Sequence, residues 1–158
     1  MTRIKNLLTC LLFVSLATLT ACGDGGDGGD NTPELTAEEQ RLVALAGTSG
    51  VTWVATSITF DGAPADGFTN FSITFRGNAT SKTYTTVSGS PVFAASGTWD
   101  FNSGNLNELV FDGNSGNVFT LSSLNTVQGT VTMTVNFSSN GGAAFGTEGL
   151  YVFNLEEQ

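Results

Sequence analysis

One thiol after an apolar run, a scatter of carboxylates and a single neighbouring serine–lysine pair are the groups with which this 158-residue chain could do chemistry. It has no histidine, which excludes Ser-His-Asp and Cys-His mechanisms and any histidine-containing zinc or iron site. A Ser-Lys dyad would have to use Lys82, between Ser81 and Thr83. That lysine falls in a strand-like stretch and reads as a solvated strand lysine. Asp100, Glu108 and Asp112 stand near turn-like sequence, with Asp61, Asp66 and Glu148 elsewhere. A glycosidase needs two carboxylates across a cleft, whereas acids dispersed through turns bond nearby backbone donors, and the second pattern is expected here. Asp112-Gly113-Asn114-Ser115-Gly116-Asn117 places Gly116 where a calcium loop needs a third oxygen ligand, so a hairpin turn is expected. No glycine-rich loop opens a helix and there is no P-loop. The expectation is a chain without catalytic residues, cofactor or metal.

Cys22 is set apart by what precedes it. Arg3 and Lys5 form a basic start, and Leu7 to Leu19 form an apolar run. That run has the length of a signal peptide's core, about a dozen residues, rather than the roughly 20 needed to span a bilayer. Gly23 and Asp24 end it. The closing tetrad Leu19-Thr20-Ala21-Cys22 resembles the lipobox of bacterial lipoproteins. The resemblance implies cleavage between Ala21 and Cys22, a diacylglycerol thioether on Cys22, and two or three acyl chains such as palmitate. One chain holds a protein only marginally, at about 0.8 kcal/mol per buried methylene, so several make a permanent membrane anchor. It also implies that Gly23, rather than Asp, in the second mature position sends the protein to the outer membrane. Cys10 is no rival, because Thr9 is too large for the preceding position and too little apolar chain comes before it.

Residues 1–21 thus read as a lipoprotein signal peptide and 22–35 as a flexible acidic tether, with too little apolar surface to offset its ordering entropy. Asp24, Asp27 and Asp30 recur every third residue, whereas EF-type calcium ligands alternate every second. The run also resembles the acidic segment that Bacteroidetes lipoproteins carry for surface export. Beyond Ala21 lie fourteen acids but only three cations, Arg41, Arg76 and Lys82, a formal charge of −11. Such a chain repels phosphate backbones, so no nucleic-acid partner is expected.

Residues 36–158 read as one domain. Thr36-Ala37-Glu38-Glu39 fits a capping box, Leu42, Leu45 and Ala46 share a side, and Gly47 is a stop signal, so a short helix is expected across the end of a barrel. From Val51 the pattern turns to period two, with Thr, Val, Phe and Ile enriched. Eight strands are expected, over 51–60, 69–76, 82–88, 94–101, 107–111, 117–123, 129–137 and 149–156, separated by turn sequences such as Asp61-Gly62-Ala63-Pro64 and Gly89-Ser90-Pro91. Val131, Met133, Val135 and Phe137 alternate with Thr130, Thr132, Thr134 and Asn136, the pattern of a sheet with one wet face. Closure into an antiparallel up-and-down barrel would remove the exposed edges of so long a sheet. An immunoglobulin-like β-sandwich is the alternative, but closely spaced hairpins without long crossovers argue against it.

The helix, Gly50-Val51-Thr52-Trp53 opening the first strand, Gly97-Thr98-Trp99-Asp100-Phe101 and a closing Tyr151-Val152-Phe153-Asn154-Leu155 resemble the lipocalin-like domains of Bacteroidetes lipoproteins. The resemblance implies an all-β, eight-stranded lipocalin-like barrel. Lipocalins carry Gly-X-Trp, one residue shorter than here, and a late basic residue that this chain lacks after Lys82, so architecture is implied and a ligand is not. Phe71, Phe75, Trp99, Phe119, Met133 and Phe153 are expected in the interior, which either holds a small apolar ligand or is filled by these side chains. The other expectations are a surface-protein partner met through the Thr/Ser/Asn-rich outer face, and carbohydrate binding if Trp53 or Trp99 is exposed.

Overall fold

On β8 (Thr130–Phe137) the four apolar residues turn inward and are buried, while the threonines and asparagine between them face out. The same alternation runs round the molecule and closes it. The computed structural model describes residues 34–139 and 148–158. The signal-like stretch, Ala21, Cys22 and all but the last two residues of the tether lie outside them. The compact unit runs from Glu34 to Gln158.

The elements are α1 (Ala37–Ala46), β1 (Val51–Phe60), β2 (Ala63–Pro64), β3 (Ser72–Asn78), β4 (Ser81–Val87), β5 (Ser96–Asn102), β6 (Asn105–Phe111), β7 (Val118–Asn125), β8 and β9 (Gly149–Glu157). Every neighbouring pair is antiparallel, and from β3 to β9 each strand pairs with its successor. β1 pairs β3 through Val51 to Val54 and β9 through Trp53 to Phe60, which closes an eight-stranded up-and-down barrel of lipocalin-like architecture. Sequence-order pairing with closure is the opposite of a two-sheet sandwich. The extra strand β2 folds back on the end of β1, Thr59 opposite Pro64. The second barrel strand, β3, starts at Ser72 rather than residue 69, and the fourth, β5, at Ser96 rather than 94. In both places the preceding residues are drawn out of the ladder to send an aromatic ring inward.

The outer wall is polar. Thr52 and Thr74 share a hydroxyl hydrogen bond of 2.8 Å, Thr132 donates to Asn154, and Asn154 donates to Ser57. A bilayer-spanning barrel carries a band of apolar residues outward; here most large apolar strand residues point inward.

The helix end of the barrel is shut by α1. Thr36 caps the helix, its hydroxyl accepting from the Glu39 amide at 3.2 Å while Glu39 accepts from the Thr36 amide at 2.8 Å. The Thr36 amide and hydroxyl hold the Glu39 carboxyl below its ordinary pKa. Leu42, Leu45 and Ala46 are buried against the barrel. The Trp53 indole donates to the Leu45 carbonyl at 2.9 Å. Arg41 donates to the Leu106 carbonyl and to Asn107 Oδ1, and burial lowers its pKa.

Lys82 is not the solvated lysine that its flanking residues suggest. Its side chain is only 7% exposed, lies 5.9 Å from the centre of the Phe101 ring, and bridges Glu38 of α1 at 3.1 Å and Asp100 of β5 at 2.9 Å. Burial works against the ammonium, but the two carboxylates prevail and hold its pKa above the ordinary value. The reason is register: β4 and β5 pair only through Thr83–Thr85 and Ser96–Thr98, and below that the strands separate. Lys82 reaches into the gap, and the Trp99 indole donates there to the Thr83 and Arg76 carbonyls. Lys82→Met keeps the apolar stem and removes the charge. Because Glu38 and Asp100 are more than half exposed and rehydrate, a loss of about 1 kcal/mol is expected in urea unfolding, close to a surface pair rather than a buried one.

Candidate functional site

The lumen and its open end are where a site could lie. All six residues expected inside are buried: Phe71, Phe75, Met133 and Phe153 fully, and Phe119 and Trp99 to within 3%. They divide into two layers. Phe75 and Trp99 form an edge-to-face pair, ring centres 5.2 Å apart, towards the helix end. Phe71 and Phe153 meet at 5.3 Å higher up. Met133 lies on the neighbouring strand, opposite Phe153.

The centre of the upper layer comes from a residue that the strand pattern does not mark. Phe93, in the connection between β4 and β5, turns into the barrel and is 5% exposed. Its ring lies 4.9 Å from Phe119, 5.1 Å from Phe111, 5.4 Å from Phe153, 5.6 Å from Phe71 and 6.4 Å from Tyr84. Phe68, in the connection before β3, enters beside it and meets Phe71, Tyr151 and Phe153 within 6.0 Å. The barrel is thus covered by α1 at one end, and two loop-borne rings fill the lumen beneath the other. The signal for Phe93 was Val92-Phe93, two large apolar residues inside an otherwise turn-like run; that a turn segment would fold inward is not encoded in its period.

Trp53 and Trp99 are both inside, 0% and 3% exposed, each indole N–H satisfied by a carbonyl. Neither is a platform for stacking sugar. The acids are dispersed, and five of the six singled out in the sequence have described partners. Asp100 holds Lys82, Glu108 accepts from Asn102 at 2.7 Å, Asp61 accepts from the Leu150 amide, and Glu148 accepts from the Ser139 amide and hydroxyl. Asp112 has both oxygens engaged, by the Tyr84 hydroxyl at 2.7 Å and the Thr98 amide at 2.8 Å. Burial first, and then Asp112, push the Tyr84 hydroxyl well above its ordinary pKa. Among the described residues no three acids or thiols gather in a metal-holding group, and no buried side-chain polar atom lacks a partner.

At the open end the connections β1–β3, β4–β5 and β6–β7 surround two concavities. One, of about 220 Å³, is floored by Tyr84, Phe111, Phe119 and Phe137. The other, of about 270 Å³, lies between Phe60, Pro64 and Tyr151. Pro91 borders both. The buried Asn117 fixes the rim, its amide donating to the Ser138 carbonyl and its carbonyl accepting from the Ser138 amide, both at 2.8 Å.

No family model, curated protein or solved structure matches this chain. What the site can do is therefore argued from its geometry alone. It is an aromatic core under two shallow concavities lined by both apolar and polar groups.

Proposed function

We propose that this chain is a lipid-anchored protein of the bacterial outer membrane, a member of the lipocalin-like lipoproteins of the Bacteroidetes, whose barrel performs no chemistry and acts through its outer surface. The anchor reading rests on the lipobox-like Leu19-Thr20-Ala21-Cys22 behind a short apolar run. The observation that carries the reading of the domain is Phe93, whose ring takes the place at the centre of five other aromatic rings where a small apolar ligand would sit. A barrel filled by its own side chains gains its ring-to-ring contacts on folding, about 0.5–1.5 kcal/mol per pair beyond area burial, and has no lumen left to offer. Its remaining means of recognition is the surface.

The two halves of this reading are tested separately. Cys22→Ser is expected to move the protein from the membrane fraction to the soluble fraction; retention in membranes refutes the anchor. Native mass spectrometry of the protein, released from detergent after exposure to a lipid and metabolite extract, is expected to show the bare protein mass with its acyl chains. A further bound mass that leaves on denaturation would restore the lumenal ligand and refute the filled barrel.

A further inference from the structure

Aspartate is followed by glycine at three places among the described residues: Asp61-Gly62, Asp66-Gly67 and Asp112-Gly113. Asp24-Gly25 and Asp27-Gly28 lie outside them. The pair carries a reaction of its own, attack of the glycine amide nitrogen on the aspartate Cγ, because glycine has no side chain to obstruct the approach. At all three steps the space where a glycine Cβ would stand is empty to 4 Å. What separates them is the carboxylate, which must turn onto the following nitrogen and give up an oxygen. Asp61 is tied twice to Leu150: its amide donates to the Leu150 carbonyl at 2.8 Å, and its Oδ1 accepts from the Leu150 amide at 2.9 Å. Asp112 is tied three times, its amide donating to the Thr98 carbonyl while Oδ1 accepts from the Thr98 amide and Oδ2 from the Tyr84 hydroxyl. Asp66 is exposed, and neither it nor Gly67 has a described hydrogen bond or ion pair. The chain is next held at Ala65, whose amide donates to the Ile58 carbonyl, and at Phe68, whose carbonyl accepts from the Phe71 amide.

We propose that Asp66 is a site of spontaneous modification in the folded protein, closing to a succinimide with Gly67 and reopening to isoaspartate. The Asp66 carboxyl, in its acid form, loses its hydroxyl as water while the Gly67 nitrogen gives up its proton and bonds to Cγ. Water then adds to one of the two imide carbonyls. Addition at Cγ restores aspartate. Addition at the main-chain carbonyl breaks that carbon's bond to the Gly67 nitrogen. The chain then runs through Cβ and Cγ, and a free carboxylate is left on Cα. One water leaves and one enters, so no other reagent is needed. The product lengthens by one methylene the connection that brings Phe68 into the lumen, where its ring meets Phe71, Tyr151 and Phe153. At Asp61 and Asp112, hydrogen bonds to a charged group must break before the carboxyl can turn, which holds both at least about tenfold behind Asp66.

The test compares the folded and unfolded chain. The full chain in detergent is held at mildly acidic pH, well below its unfolding temperature, and sampled over weeks; a second portion is held in guanidinium chloride. Each sample is digested and read by electron-transfer fragmentation, which tells isoaspartate from aspartate position by position. In the unfolded chain the three steps share their local chemistry and are expected to convert at similar rates. In the folded chain Asp66 is expected to keep close to its unfolded rate, while Asp61 and Asp112 fall behind by about tenfold or more. A folded protein in which Asp66 is slowed as much as Asp61 and Asp112 overturns the proposal, because the fold would then protect all three. Equal, unslowed conversion at all three also overturns it, because the hydrogen bonds would then have no part in choosing the site.

Discussion

Phe93→Ala is expected to remove about 3–5 kcal/mol of stability, the cost of deleting a large aromatic from a packed core. For a domain whose whole margin is about 5–15 kcal/mol this is the difference between a stable and a marginal fold. The ring touches five others contributed by β4, β6, β7, β9 and the residue before β3, so its loss uncouples the two sides of the lumen at once. Strands tied by ladder hydrogen bonds cannot collapse into the space it leaves, and a cavity remains. The loop itself adds little to hold them: Phe93 donates to the Gly89 carbonyl, and Thr86 to the Ala95 and Ala94 carbonyls. Urea unfolding followed by the fluorescence of Trp53 and Trp99 measures the effect. A loss below about 1 kcal/mol would mean that the connection lies over the barrel rather than in it.

Gly97→Ala should be nearly as damaging, although alanine is the smallest change a glycine can undergo. A Cβ at Gly97 would fall on the Asp112 carboxylate, overlapping an oxygen and lying 2.6 Å from Cγ. Asp112 cannot withdraw without releasing the Tyr84 hydroxyl and the Thr98 amide. Tyr84 is 2% exposed, and a buried donor left unpaired costs about 1–3 kcal/mol on top of the steric displacement. A total near 3 kcal/mol is expected. The test is a double-mutant cycle with Asp112→Ala: once the carboxylate is gone the methyl has room, so the double variant should be clearly more stable than the sum of the singles predicts. Strict additivity would show that the close approach is not what demands glycine.

How much of this was legible beforehand differs from element to element. The helix was, cap included, because Thr36, Glu39 and the apolar positions after them interact within one or two turns. So were the strands and their inward faces, because a side-chain period of two says which residues share a face whatever lies across from them. All six expected interior residues are inside for that reason. Lys82 was misjudged because its neighbours in sequence are Ser81 and Thr83, while its neighbours in space are Glu38 and Asp100, brought to it by a helix and by a strand that parts from its own.

The N-terminal apolar run with its terminal Cys22, the lack of histidine, the acid excess and the strand faces were all set by residue type and local spacing alone. Tertiary structure alone decided what fills the lumen. Phe68 and Phe93 stand in segments without period, so only the folded paths of their loops bring them to the centre of the barrel. Asp61, Asp66, Asp112 and Glu148 stand at the end opposite α1, although they lie as far apart as residues 61 and 148. They share one end because antiparallel strands return every second connection to the same side, and no short-range pattern in the chain carries that information.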